Sequence, residues 1–166
     1  AAQPGPLSSA DPGSIAVPQP SRLGEAQVGS GFPRTPEGAI GQLIAIDQRA
    51  LESASVVVAQ DVITAWAAPG GPTESTWSGV AAVQSLLESA GLPANGSTEV
   101  TIRLDPAMGA FGRNAQPTTV CVDFVVSAAV TGGQASRIAV ADCQHMVWQH
   151  DRWVIAPGDE ASVMPS

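Results

Sequence analysis

Apolar and polar residues alternate one by one in the second half of the chain. Val100, Ile102 and Leu104 alternate with polar neighbours, and from residue 118 Val120, Val122, Phe124 and Val126 form one face. This period of two predicts half-buried β-strands. The turn signals Thr131-Gly132-Gly133 and His150-Asp151 predict two hairpins, hence a three-stranded meander over residues 118–156. We expect the second meander strand to present Ile138, Val140 and Met146 to the apolar side, and residues 106–117 to form a long loop.

Three stretches in the first half show helical spacing instead. Thr35-Pro36-Glu37 has the chemistry of a helix start, with an N-cap, a first-turn proline and an acid at the positive end of the dipole. A second helix over residues 57–66 stops at Pro69-Gly70. A third is capped by Ser75 or Thr76 and ends at Gly91.

Helices followed by an antiparallel meander predict an α+β fold. We expect N-terminal helices packed on a curved, cone-like antiparallel sheet of about four strands, in a domain spanning residues 35–157. Residues 1–34 are rich in Pro, Gly and Ser and predict an extended tether or a strap on the domain surface. Residues 158–166 are predicted to be a C-terminal tail.

Hairpin geometry places specific residues opposite each other. If the first hairpin pivots on Gly132, Cys121 lies directly opposite Cys143, whereas a two-residue turn at Gly132-Gly133 would put the cysteines one residue out of line. The second hairpin, with a two-residue turn, pairs Trp148 with Trp153, an aromatic cross-strand pair that stabilises a sheet.

Charge and composition exclude some partners. The 166 residues carry a net charge of −8, with seven Lys plus Arg against fifteen Asp plus Glu, which argues against direct binding of nucleic acid. No apolar run reaches the roughly 18 residues of a membrane span. The start Ala1-Ala2-Gln3-Pro4 has neither a methionine nor a basic flank, so we expect any signal peptide or anchor to lie upstream of residue 1.

Few residues offer chemistry. Cys121 and Cys143 are a poor zinc site and predict a disulfide in an oxidising compartment, with two buried thiols as the alternative. Asp123 with His145 is the single candidate acid-base pair, but the role we predict for Asp123 is a salt bridge with Arg103, with catalysis as the alternative. The sequence shows no phosphate loop or nucleophile elbow, so neither a cofactor nor a metal is predicted.

Two short motifs carry a family resemblance. They are Gly31-Phe32-Pro33-Arg34-Thr35-Pro36-Glu37-Gly38-Ala39 at the domain entry and Met146-Val147-Trp148-Gln149-His150-Asp151-Arg152-Trp153-Val154-Ile155 in the closing hairpin. With the order of elements, the chain resembles a nuclear-transport-factor-2-like cone domain. Within that superfamily it is similar to the extracytoplasmic domains of actinobacterial conjugation and type IV secretion proteins.

The resemblance implies a noncatalytic scaffold module of a membrane-anchored transfer or secretion complex. Its partners would be proteins of a membrane-associated assembly or a second copy of itself. It would contact the membrane only through an anchor upstream of residue 1. One alternative is a small-molecule-binding protein or a cone-type isomerase, cyclase or dehydratase using Asp123 and His145. Another is a secreted lipoprotein of unknown role.

Overall fold

Three helices pack on one face of an antiparallel sheet, which confirms the predicted α+β class. The computed structural model describes residues 17–93, 99–112, 118–133 and 135–158 together with the backbone of 162–165. The helices are α1 (Pro36–Glu52), α2 (Val56–Trp66) and α3 (Ser78–Ser89). The strands are β1 (Arg22–Leu23), β2 (Gly29–Ser30), β3 (Val100–Phe111), β4 (Thr118–Val130), β5 (Ala135–Gln149), β6 (Arg152–Ile155) and β7 (Ser162–Pro165).

The main sheet has the order β3-β4-β5-β6, with β7 also pairing with β5. The prediction that residues 106–117 form a loop is wrong in its first half, because β3 continues to Phe111. Pro106 is tolerated there since β3 is an edge strand, and a register shift between Pro106 and Met108 introduces a bulge. The prediction of a C-terminal tail is also wrong for Ser162–Pro165, which form β7.

Helix α1 closes part of the exposed edge of β3. The backbone N–H of Leu104 donates to Glu52 Oε2 at 2.9 Å, and Gln48 Nε2 donates to the Leu104 carbonyl at 3.2 Å. Both helical side chains lie one turn apart on the same helix face. The two side chains thus bind the N–H and the carbonyl of Leu104, which a neighbouring strand would otherwise pair with. Edge-to-edge association is blocked at this residue.

The helix boundaries follow local capping chemistry. Thr35 caps α1 by accepting from the Gly38 N–H at 3.0 Å, as the sequence predicts, and Ser55 caps α2 in the same way. The predicted cap of α3 at Ser75 or Thr76 is wrong, because α3 begins later, with Trp77 as its N-cap residue. Thr76 instead accepts from the Thr73 N–H in the preceding turn.

The core lies between the helices and the inner face of the sheet. Val120, Val122, Phe124 and Val126 are all buried there, in line with their alternation. Trp66 and Trp77 are buried with them. Ile138 lies on the apolar side as expected, opposite the buried Val126, but its side chain is 54% exposed.

Residues 17–34 form a strap against the domain, while residues 1–16 of the predicted tether lie outside the described residues. The strap inserts Val28 and Phe32 into the core. Body side chains donate to four of its backbone carbonyls: Gln42 to Gly29, Arg49 to Ala26, Trp66 to Glu25 and Trp153 to Pro33. The strap is thus part of the folded unit that the sequence predicted to begin at residue 35.

Candidate functional site: the outer face of the sheet

The sheet face opposite the helices carries most of the residues that the sequence singles out. Along β4 the side chains alternate between buried and half-buried from Thr118 to Val126. The half-buried set points away from the core: Thr119, Cys121, Asp123, Val125 and Ser127. We call this surface, together with the residues opposite it on β5, the outer sheet face.

A disulfide joins Cys121 and Cys143 on this face. The two cysteines are direct partners in the β4–β5 register, so the hairpin pivoting on Gly132 is confirmed and both the shifted turn and the alternative of two free thiols are wrong. Gly132 has φ +77°, the left-handed conformation that favours glycine. The bridge closes 22 residues of sequence and is consistent with an extracytoplasmic location.

Asp123 and His145 both lie on the outer sheet face but do not meet. Asp123 is opposite Ala141, whereas His145 is opposite Thr119, so four residues of β5 separate the two positions. At the usual rise per residue that is about 13 Å along the strand. The disulfide lies between them, and Thr119 Oγ1 is hydrogen-bonded to His145 Nδ1 at 3.1 Å. The structure therefore does not assemble an acid-base pair from these residues.

Arg103 forms a different ion pair from the one predicted. The register places Arg103 opposite Ser127 and Asp123 opposite Met108. Arg103 instead pairs with Asp105 on its own strand at 3.3 Å, and both side chains are more than half exposed. The two are neighbours because side chains two residues apart point to the same face of a strand.

Trp148 and Trp153 pair across the second hairpin as the two-residue turn predicts. Their rings meet edge to face with centroids 5.6 Å apart, a favourable aromatic arrangement. His150 and Asp151 form the turn with φ of 53° and 63°, which matches the twist of a hairpin. The buried Trp153 donates its indole N–H to the Pro33 carbonyl, so this pair is structural and anchors the strap.

The sequence gives no sign of a set of buried polar residues on the inner side. Asp47, Asp142 and Gln144 are each less than 10% exposed, and Gln144 Nε2 donates to Asp142 Oδ1 at 2.8 Å. Asp47 and Asp142 both line a small cavity of about 50 Å³ between α1, α3 and β5. The spacing of apolar residues in α1 places Asp47 on the polar face of that helix, which would normally meet solvent. In the fold, helix α3 packs over this position and Asp47 is buried. Within the described ranges no three His, Cys, Asp or Glu residues come together as a metal site.

Arg152 is a second residue whose role the sequence does not reveal. Its guanidinium donates to Glu25 Oε1 at 2.7 Å and to the Ala65 carbonyl at 2.6 Å, and it stacks on the Trp66 ring at 4.3 Å. It thereby joins the strap, α2 and β6. Only the fold brings these three segments together, because Arg152 and Glu25 are 127 residues apart in the chain.

Comparisons with protein-family models, with curated proteins and with solved structures found no match to this chain. The resemblance to nuclear-transport-factor-2-like domains therefore rests on the two sequence motifs and the order of elements. None of the helices in the described part of the chain has the length and hydropathy to cross a bilayer.

Proposed function

We propose that this chain is a noncatalytic interaction module of an extracytoplasmic transfer or secretion complex, held at the membrane by an anchor upstream of residue 1. The observation that carries the proposal is the outer sheet face. It is a broad strand surface that none of the helices in the described residues covers, with small side chains such as Ser127, Ala139 and Ala141 around the Cys121–Cys143 disulfide.

Rigidity favours this face as a binding surface. Two long strands, β4 and β5, pair over twelve residue positions, and the disulfide links them at the fourth pair from the Thr118 end. A surface that is already ordered loses little conformational entropy when a partner binds. The acidic net charge and the small number of Lys and Arg residues argue against nucleic acid as a partner. We therefore assign the face to protein partners.

The enzyme alternative lacks a supporting observation in the described residues. A cone-type isomerase, cyclase or dehydratase needs an acid and a base within reach of one bound substrate. Asp123 and His145 lie about four strand positions apart on the outer sheet face. The helix side of the sheet is filled by large side chains, including Trp66, Trp77 and Phe124.

Deleting the gene in its native host tests the proposal. We expect conjugative DNA transfer or protein secretion to fall sharply and to recover when the full-length gene is returned. Transfer and secretion that both continue unchanged would contradict the proposed role. The gene sequence upstream of residue 1 distinguishes the anchored module from the lipoprotein alternative. A single apolar span there would support the anchored module, whereas a lipobox cysteine would indicate a lipoprotein.

A further inference from the structure

A cavity of about 310 Å³ lies on the side of α1 that faces the strap, away from the small cavity at Asp47. Its walls come from four parts of the chain: the strap, helix α1, the bulged end of β3 and Val122 of β4. Residues that line it include Val17, Pro20, Ile44, Ala45, Met108 and Val122. Its size falls at the lower end of the range for small-molecule sites.

The lining determines which chemistry fits. None of the cavity's lining residues is ionisable, and its polar side chains are the amides of Gln19 and Gln48. A charged group placed against this lining would lose part of its hydration and find no charged partner among the lining residues, so a charged ligand is disfavoured. Gln48 Nε2 already donates to the Leu104 carbonyl, which leaves its amide oxygen to accept from a ligand hydroxyl or N–H.

The bulge in β3 gives the cavity one of its walls. The register shift between Pro106 and Met108 adds Ala107 as an extra residue and redirects the strand at the cavity. Met108 is half-buried there, and its flexible thioether side chain adapts to ligands of different shape. Bulges are common beside active sites because they change the direction in which a side chain points.

The opposite wall is the first part of the strap, residues 17–20. In the described part of the chain the hydrogen bonds that hold the strap begin at Ser21, which bonds to the Ser30 carbonyl at 2.9 Å and the Gly31 carbonyl at 3.1 Å. Residues 17–20 rest on α1 through apolar contact. They form the wall of the cavity opposite β3, with Val17 packed against the core and Phe32 buried in it.

We infer that this cavity is a binding site for a neutral, largely apolar small molecule that carries one hydroxyl or amide group. If each non-hydrogen atom occupies about 30 Å³, as a water molecule does in the liquid, the cavity holds on the order of ten such atoms. The site is independent of the outer sheet face and adds a ligand to the proposed interaction role.

Equilibrium dialysis with 2-naphthol tests the inference, because this probe is neutral, aromatic, about the right size and carries one hydroxyl. We expect saturable binding at one site, and no saturable binding of 2-naphthoate, whose carboxylate would be buried without a partner. Chemical shifts of the Met108 methyl group should move with 2-naphthol and not with 2-naphthoate.

Two cavity-filling variants locate the site. Ala45→Phe and Ala107→Phe each place a ring in the cavity and should weaken 2-naphthol binding by about tenfold or more. Ala81→Phe, an equal change at an exposed position of α3, should bind like the wild type. If Ala45→Phe does not fold, the 2-naphthol binding of Ala107→Phe, whose substitution lies at the β3 bulge, provides the test. No saturable binding to the wild type, unchanged binding in the filling variants, or equal binding of 2-naphthoate would overturn the inference.

Discussion

Individual residues in this protein act mainly by linking distant segments. Arg152 contacts Glu25, the Ala65 carbonyl and the Trp66 ring with one planar guanidinium. A lysine at this position would keep the charge but could not make the forked contacts or the same stacking. The side chain is 26% exposed, so solvent screens this site less than it screens a surface pair.

We therefore expect Arg152→Lys to lower the free energy of unfolding by about 1–2 kcal/mol. Arg103→Lys is the matched control, because Arg103 pairs with Asp105 where both side chains are largely exposed, and its effect should stay within about 0.5 kcal/mol. Urea unfolding of both variants measures the difference. Equal losses in the two variants would show that the Arg152 contacts do not hold the strap.

The disulfide also acts at the residue scale. By the loop-entropy model, a bridge that closes 22 residues stabilises the fold by about 3 kcal/mol, and by less if the hairpin persists in the unfolded chain. The double variant Cys121→Ser, Cys143→Ser should lose that stability. Reduction with dithiothreitol should destabilise the wild type by a similar amount and leave the double variant unchanged; a wild type insensitive to reduction would contradict the expectation.

At the scale of elements, the strap behaves as part of the domain. Phe32 is buried against α1, and the aromatic ring lies so close to Gly41 that a Cβ there would meet it at 2.6 Å. Leu23, on the same strap, is 69% exposed. This contrast offers a pair of variants that differ in burial within one element.

Phe32→Ala should destabilise the protein by about 3–5 kcal/mol, the usual cost of removing a buried aromatic side chain. Leu23→Ala should change the free energy of unfolding by no more than about 0.5 kcal/mol. Thermal or urea unfolding measures both. A small effect of Phe32→Ala would mean that the strap lies on the domain without stabilising it.

Sequence patterns predicted the elements whose signals are local. The cap at Thr35 is a bond within one turn, and the cysteine pair is placed by the geometry of a single hairpin. Pro106 misled the prediction of β3, because whether a proline is tolerated depends on the strand lying at the sheet edge. The burial of Asp47 and the contacts of Arg152 depend on segments far away in the chain, which no local period encodes.

At the scale of the whole molecule, the helices pack on one side of the sheet, and the proposed partner surface is the outer sheet face on the other side. Val125 lies on that face, opposite Ala139 on β5 and Asp105 on β3. An arginine at residue 125 would add bulk and charge to the face while remaining partly solvated, with Asp105 as a counter-charge. Gln84, exposed on α3, offers a position for the same charge on the opposite side of the sheet.

The most direct test is complementation of the deletion strain with these two variants, after thermal unfolding has shown that both fold. We predict that Gln84→Arg restores transfer or secretion to the wild-type level, whereas Val125→Arg restores about a tenth of it or less because the charge disrupts a partner contact worth at least about 1.4 kcal/mol. Full restoration by both variants would contradict the claim that the outer sheet face is the binding surface.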